Sequence, residues 1–196
     1  MTKGARTREQ IIESIAPLFN TRGFDGTSFA DLCEATGLSK GALYGNFASK
    51  DELALAAFHY TIGQMRAACN EYVVGSTNKK KLIGFLEFFT TYVIHPPVKG
   101  GCPLLNTAVE ADDYRTSMKK AVTHELEKTV LFIVQLMDAG KKAGEFRADI
   151  KSREMALFFL CSVEGAIMYS RVSSSEEAMK AVVKNIKGVI DSFSNT

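Results

Sequence analysis

The chain has 196 residues, a length that fits one large domain or a small domain joined to a medium one. Hydrophobic residues make up 46% and charged residues 23% of the sequence, which excludes a disordered chain. The formal net charge of +2 is too small to indicate nucleic-acid or membrane binding by composition alone. Prolines are scarce and no alternating apolar runs lie between turn clusters, so the composition predicts an all-α protein.

The cysteines and the apolar segments indicate whether the chain binds metal, contacts a membrane or enters an oxidising compartment. The 4 cysteines are far apart and form neither a CxxC pair nor a cluster with the 3 histidines, so we expect no metal and no cofactor. The basic start lacks the apolar segment of a secretion signal. The longest uninterrupted apolar run, residues 155–161, is far below the ~20 residues of a membrane span. We therefore expect a cytoplasmic protein that has no membrane partner and keeps its thiols reduced.

Three helices are predicted in the first part of the chain. Apolar residues at helical spacing indicate a first helix over residues 7–22. Either Thr27 or Ser28 caps a second helix, and Ser39 caps a third that reaches about residue 47. Gly37 supplies the tight turn between these two helices, which together form a helix-turn-helix.

Longer helices are predicted over the rest of the chain. Residues 50–72 form one that extends roughly 34 Å, enough to join two domains. The helix over 151–171 is apolar on nearly every side. Such a helix is buried all round, which predicts that part of it packs against a second copy of the chain. A core within one chain is the alternative. The other predicted helices span residues 79–95, 104–112, 115–142 and 175–192.

The helix-turn-helix carries the functional prediction. The second helix of such a motif fits the major groove, which is about 12 Å wide, while the first contacts the sugar-phosphate backbone. The segment Ser39-Lys40-Gly41-Ala42 suits this role because small residues let the backbone approach base edges and Lys40 adds positive charge. Any compact helical domain can contain two short helices with a glycine turn, so the spacing alone leaves both interpretations open.

A longer stretch, from Arg8 to Leu55, resembles the TetR family of transcriptional regulators. The segments that carry the resemblance are Ala16-Pro17-Leu18-Phe19, Arg22-Gly23-Phe24, Thr27-Ser28, Ala35-Thr36-Gly37-Leu38-Ser39-Lys40-Gly41-Ala42-Leu43-Tyr44 and Phe47-Ala48-Ser49-Lys50-Asp51-Glu52-Leu53. The resemblance implies a three-helix DNA-binding domain over residues 1–50, a connecting helix over 51–74 and a helical ligand-binding and dimerisation domain over 75–196. It also implies a homodimeric repressor that binds double-stranded operator DNA and is released by a small-molecule inducer.

The resemblance further implies which residues meet DNA. The phosphate contacts are Thr27, Ser28, Tyr44 and Lys50, and the base-edge contacts are Ser39, Lys40, Gly41 and Ala42. Gly45 stands where the family often has histidine or an aromatic residue, so we expect one phosphate contact to be missing. Asn46 is the candidate to replace it, unless the register of contacts differs. A glycine inside a helix also costs ~1 kcal/mol relative to alanine.

The resemblance implies a ligand site, for which the sequence supplies candidate lining residues. Aromatic side chains crowd the helix before Pro96, and a few polar groups near them would orient a ligand. Aromatic residues at this spacing are also typical of an ordinary core, and this alternative stays open. The candidates are Phe89, Tyr92, Cys102, Asn106, Glu110, Phe132, Gln135, Phe158 and Glu164.

Cys102 suggests a second mechanism. It follows two glycines and precedes a predicted helix whose dipole would lower the pKa of the thiol. The segment resembles one in a TetR subgroup that includes electrophile- and oxidant-responsive repressors, and a packing role is the alternative. The other cysteines, Cys33, Cys69 and Cys161, are expected in the core.

Two further classes of function compete with the DNA-binding regulator. A helical adaptor that binds protein in place of DNA would have the same helices. An enzyme using Cys102 with a histidine is disfavoured, since the sequence shows no acid-base constellation, phosphate loop or cofactor fingerprint.

Overall fold

The computed structural model describes residues 2–112 and 116–195. Across these two ranges the chain forms α-helices and no β-strand, with one isolated bridge between Phe146 and Ser194, so the predicted all-α class is confirmed. Arg115, predicted near the start of a helix, lies outside the described residues. The helices are α1 (Lys3–Arg22), α2 (Phe29–Thr36), α3 (Lys40–Tyr44), α4 (Lys50–Asn70), α5 (Asn78–Tyr92), α6 (Pro103–Ala111), α7 (Thr116–Lys142), α8 (Ser152–Ser173) and α9 (Glu177–Phe193).

The chain divides into two compact units. The N-terminal unit comprises Met1–Met65 with Val98–Val122, and the C-terminal unit comprises Arg66–Pro97 with Thr123–Thr196. These boundaries differ from those predicted after residues 50 and 74. The reason is that α6 packs against α1 and so joins the N-terminal unit, although it is distant in the sequence.

A single apolar core holds α1 to α4 together in the N-terminal unit. Leu32 from α2 and Leu43 from α3 are completely buried, and Phe47 is nearly so. Gly37 adopts the left-handed conformation with φ +67°, which allows the sharp turn between the two helices of the motif. The buried core residues are Ile11, Ile15, Ala16, Leu32, Leu43, Phe47, Leu53, Ala57 and Val98.

The third helix is shorter than predicted. It ends at Tyr44, and Gly45 is its C-cap with the N–H donating to the carbonyl of Gly41 over 2.9 Å. The expected cost of a glycine inside a helix therefore does not arise, because Gly45 lies at the end of the helix.

The C-terminal unit is built around α8, which packs against α9 and α5. Phe159, Val163 and Ile167 lie on its buried side. Among the described helices, α8 is long and apolar enough to cross a membrane by length and composition alone, which the longest uninterrupted apolar run did not suggest. Of that apolar stretch 39% is buried, and α8 packs against α9 and α5 on its buried side.

Candidate nucleic-acid interface

The third helix has one anchored side and one exposed side. Ser39 caps its start, accepting a hydrogen bond from the Ala42 N–H over 3.2 Å. Leu43 is completely buried and fastens the helix to the core. Ser39, Lys40 and Gly41 are exposed at the helix start. The helix therefore presents a narrow face of small and basic residues to solvent.

Aromatic rings support this exposed face. Tyr44 stacks on Phe29 with 5.2 Å between ring centroids, while 46% of Tyr44 stays exposed. The Lys40 ammonium lies 4.9 Å from the Phe29 ring centroid and 5.9 Å from that of Tyr44. Cation–π attraction at these distances holds the charge of Lys40 beside the exposed phenol.

The start of α2 presents Ser28 to solvent but not Thr27. Ser28 forms a capping box with Asp31: its Oγ accepts from the Asp31 N–H and its own N–H donates to the carboxylate over 2.8 Å. The Ser28 hydroxyl also donates to the Asp31 carboxylate over 2.5 Å; this bond and the one from the Ser28 N–H lower the pKa of Asp31, and Arg22 adds to the effect. Thr27 is completely buried, and its hydroxyl donates to the Gly23 carbonyl over 2.6 Å. Its side chain therefore supports the α1–α2 turn, which corrects the predicted phosphate contact.

Two other predicted phosphate contacts are half-buried and bonded within the protein. Lys50 Nζ donates to the Phe24 carbonyl over 2.5 Å and lies 4.2 Å from the centroid of the Phe24 ring. Asn46 Nδ2 donates to the Ala42 carbonyl over 2.9 Å. Either side chain has to exchange these partners to reach a phosphate.

Arg8 stabilises the end of the motif through contacts that the sequence did not predict. Arg8 donates to the Asn46 carbonyl and to the Glu52 carboxylate, and its guanidinium lies 3.9 Å from the Phe47 ring centroid. No local pattern points to Arg8, because these partners are 38 and 44 positions away.

Glu52 provides a pH-dependent contribution to the stability of this unit. Hydrogen bonds from Arg8 and from the Ala48 N–H lower its pKa below the ordinary 4.5. Ionised Glu52 thus stabilises the folded state above that ordinary pKa, and the contribution is lost as pH falls through the folded-state value. We expect Glu52→Gln to destabilise the protein at neutral pH and to match the wild type in strong acid, as measured by urea unfolding across pH. A difference that stays constant down to strong acid would contradict this.

The candidate ligand residues are distributed over both units. In the C-terminal unit, Phe89 and Tyr92 lie in a buried aromatic cluster with ring centroids 6.0 Å apart. Phe132 joins the cluster through Phe85, at 5.6 Å between centroids. The remaining candidates of this unit lie on α7 and α8: Gln135 and Phe158 are exposed and Glu164 is half-buried.

The other candidates, Cys102, Asn106 and Glu110, lie in the N-terminal unit. Asn106 Nδ2 donates to the carbonyl of Asn20 over 2.9 Å, and Glu110 accepts from the Phe24 N–H over 2.7 Å. Both polar groups are thus engaged with the end of α1 and the turn after it. Glu110 also lines a small cavity of about 30 Å³.

The cysteines differ in accessibility. Cys102 is 1% exposed at the start of α6, and burial raises the pKa of the Cys69 thiol to about 12. Cys33 is half-buried. The prediction that Cys161 belongs to the core is wrong, since this thiol is exposed on α8. Both sides of α8 are apolar, so the sequence could not distinguish its buried side from its exposed one.

A helix-turn-helix with an exposed third helix, followed by a helical C-terminal unit, defines a DNA-binding transcriptional regulator. Residues 11–57 match the model of bacterial regulatory proteins of the tetR family, and residues 79–186 match the tetracyclin repressor-like C-terminal domain. The chain belongs to the TetR family of transcriptional regulators, which are DNA-binding proteins and not enzymes.

Solved structures and curated relatives agree with this assignment. A TetR family regulator from Cytophaga hutchinsonii is 34% identical, with a TM-score of 0.93 over 100% of this chain and 98% of its own. One from Chloroflexus aurantiacus is also 34% identical, with a TM-score of 0.94 over 99% and 98%. The HTH-type transcriptional repressor DhaR of Mycobacterium sp. (strain GP1) is 23% identical over 89% of this chain and 88% of its own.

Proposed function

We propose that this chain is a cytoplasmic, ligand-responsive repressor that binds operator DNA as a homodimer and is released by a small-molecule inducer. The observation that carries the proposal is the exposed start of α3, where Ser39, Lys40 and Gly41 face solvent while Leu43 anchors the helix. A groove-reading helix needs this combination, because its base contacts require both an open face and a rigid support.

The proposed base contacts are Ser39, Lys40, Gly41 and Ala42. Ser28 and Tyr44 contact flanking phosphates, since both are exposed at the edges of the motif. Asn46 and Lys50 join them after exchanging their partners within the protein. A further structure supports DNA as the partner: the TetR family regulator CifR was solved as a cysteine mutant complexed with 26bp double-strand operator DNA. It is 20% identical, with a TM-score of 0.82 over 94% of this chain and 95% of its own.

An exposed apolar stripe on α8 supports the homodimer. Val172 is 86% and Tyr169 is 61% exposed, in a helix whose opposite side is core. We assign this stripe to contact with a second copy of the chain. Two copies related by a two-fold axis also present two recognition helices to successive grooves, as DNA binding requires. The stripe comprises Leu157, Phe158, Cys161, Met168, Tyr169 and Val172.

The aromatic cluster of the C-terminal unit supports a ligand response. The candidate ligand contacts there are Phe89, Tyr92 and Phe132, whose rings pack together and have to separate to admit a ligand, with Gln135, Glu164 and Phe158, the last also part of the stripe on α8, as further candidates. A ligand that favours one spacing of the recognition helices needs a coupling of only ~1–3 kcal/mol to change DNA affinity 5- to 150-fold. We favour a reversibly bound ligand over thiol chemistry at Cys102, since that thiol is 1% exposed.

Footprinting on the DNA that flanks the protein's own gene tests the proposal. We expect a protected site, affinity that falls steeply with salt through counterion release, and about tenfold weaker binding by Lys40→Ala. Lys184→Ala, which removes an exposed charge from α9, is the matched control and should bind as the wild type does. Absent or salt-independent binding would favour the protein-binding adaptor.

A further inference from the structure

A group of hydrogen bonds joins α6 to the end of α1, apart from the proposed DNA contacts. Asn20 is 8% exposed, and its Nδ2 donates to the carbonyls of Lys99 over 3.2 Å and Gly101 over 3.1 Å. This side chain therefore holds the segment before α6 against α1. We name the group the α1–α6 cluster, and its members are Asn20, Phe24, Gly101, Asn106 and Glu110.

From α6, two side chains complete the cluster. Asn106 and Glu110 are four residues apart and so share one face of the helix. Asn106 Nδ2 donates to the Asn20 carbonyl over 2.9 Å, which is one of the final carbonyls of α1 that lack a partner within the helix. Glu110 accepts from the Phe24 N–H over 2.7 Å. The face of α6 thereby bonds main-chain groups on both sides of the α1 C-terminus.

Two glycines permit this close approach. At Gly100, with φ +128°, a Cβ would lie 2.3 Å from Asn20 Nδ2. At Gly23, with φ +72°, a Cβ would lie 2.0 Å from Glu110 Oε1. Both backbones are thus in conformations that favour glycine, and a side chain at either position would displace the Asn20 or Glu110 group that makes the hydrogen bond.

The cluster continues into the DNA-binding motif. The Phe24 N–H bonds Glu110, and the Phe24 carbonyl accepts from Lys50 Nζ over 2.5 Å. The buried Thr27 hydroxyl bonds the Gly23 carbonyl, and Ser28 then caps α2. The turn that precedes α2 is therefore held at Phe24 from two directions. Glu110 of α6 bonds the Phe24 N–H, and Lys50 at the start of α4 bonds the Phe24 carbonyl.

We propose that Asn20, Asn106 and Glu110 are positioning residues, through which the placement of α6 sets the DNA-binding orientation of the helix-turn-helix. Displacing α6 leaves polar groups at the end of α1 without partners, so the turn before α2 rearranges. A small cavity of about 30 Å³, lined by Glu110 and Phe24, lies beside this turn. The inference rests on the proposed function, because operator affinity is the property that the cluster controls.

Glu110→Ala tests the inference, with Glu110→Gln as a variant that keeps an acceptor. We expect the backbone amides of residues 24–31 to exchange about tenfold faster in Glu110→Ala, since a charge-assisted hydrogen bond is lost. The ratio of operator affinity to random-duplex affinity should fall about tenfold in Glu110→Ala. Glu110→Gln should keep most of the exchange protection and most of the affinity ratio of the wild type. Val109→Ala, at a 70% exposed position on the same helix, should change neither.

The outcomes separate the two proposals. Unchanged exchange in Glu110→Ala, or an unchanged affinity ratio where the wild type binds operator, overturns the positioning role. A lower melting temperature with an unchanged ratio identifies a merely structural contact and overturns it too. A wild type that binds no operator refutes the proposed function, while amide exchange still decides whether α6 holds the turn. If Glu110→Ala does not fold, Asn106→Ala replaces it in the same comparison.

Discussion

Met168→Glu, on the exposed stripe of α8, is expected to yield a folded monomer that binds its operator at least about 100-fold more weakly than the wild type. Met168 is 54% exposed in the single chain, so the substitution leaves the core of each copy intact. In a two-fold dimer both copies place the new carboxylate in an apolar interface, where an unpaired charge costs several kcal/mol. Sedimentation equilibrium and operator titration measure the two effects.

Val74→Glu is the matched control for this experiment. Val74 is 64% exposed and lies outside α8, so the same substitution there should leave both the dimer and the operator affinity unchanged. Cys161 adds an independent readout, since its exposed thiol belongs to the same stripe. If the proposed dimer covers this stripe, a thiol reagent should modify Cys161 faster in the Met168→Glu variant than in the wild type. A wild type that binds operator as a monomer, or a Met168→Glu variant that still dimerises, would refute the interface.

Gly84→Ala is expected to destabilise the protein by about 3 kcal/mol and to lower Tm by roughly 6–12 °C. Gly84 lies in α5, and a Cβ there would be 2.0 Å from the main-chain oxygen of Tyr72. The obstacle is backbone and not the end of a flexible side chain, so α5 has to move away from the segment after α4. Calorimetry and urea unfolding measure the loss.

Gly63→Ala provides the opposite case within the same chain. Gly63 is exposed in α4, and a Cβ there would meet no atom within 4 Å. Alanine at such a helical position should stabilise the protein by roughly 0.5–1 kcal/mol, because it restricts the unfolded chain and favours the helix. Equal stability of the Gly84→Ala and Gly63→Ala variants would show that the close approach at Gly84 is not rigid.

The helices and the helix-turn-helix could be predicted because their signals are local. Ser39 and Ser28 are helix caps whose partners lie three residues away. Gly37 ends α2 by its own conformation, and the apolar spacing of an amphipathic helix reports which side is buried. Such information is contained within a few consecutive residues, so the motif could be located before its packing was known.

Burial inside that motif was less predictable. Thr27 and Ser28 are adjacent and chemically alike, yet Thr27 is completely buried and Ser28 is exposed. The turn after Gly23 decides which hydroxyl faces inward, and composition does not report it. On α8 the same difficulty placed Cys161 in the core, because a helix with two apolar sides gives no periodic signal for the exposed one.

The sequence by itself determined the all-α class, the helix-turn-helix and the family, since periodicity, caps and glycine turns act over a few residues. Only the tertiary structure decided that α6 belongs with α1, that Glu110 bonds Phe24, and that Arg8 bonds Glu52. These partners are 86 and 44 positions apart, and their hydrogen bonds exist only after packing has brought distant segments together. Pairing across such distances follows from the burial of the whole unit, which no short stretch of sequence encodes.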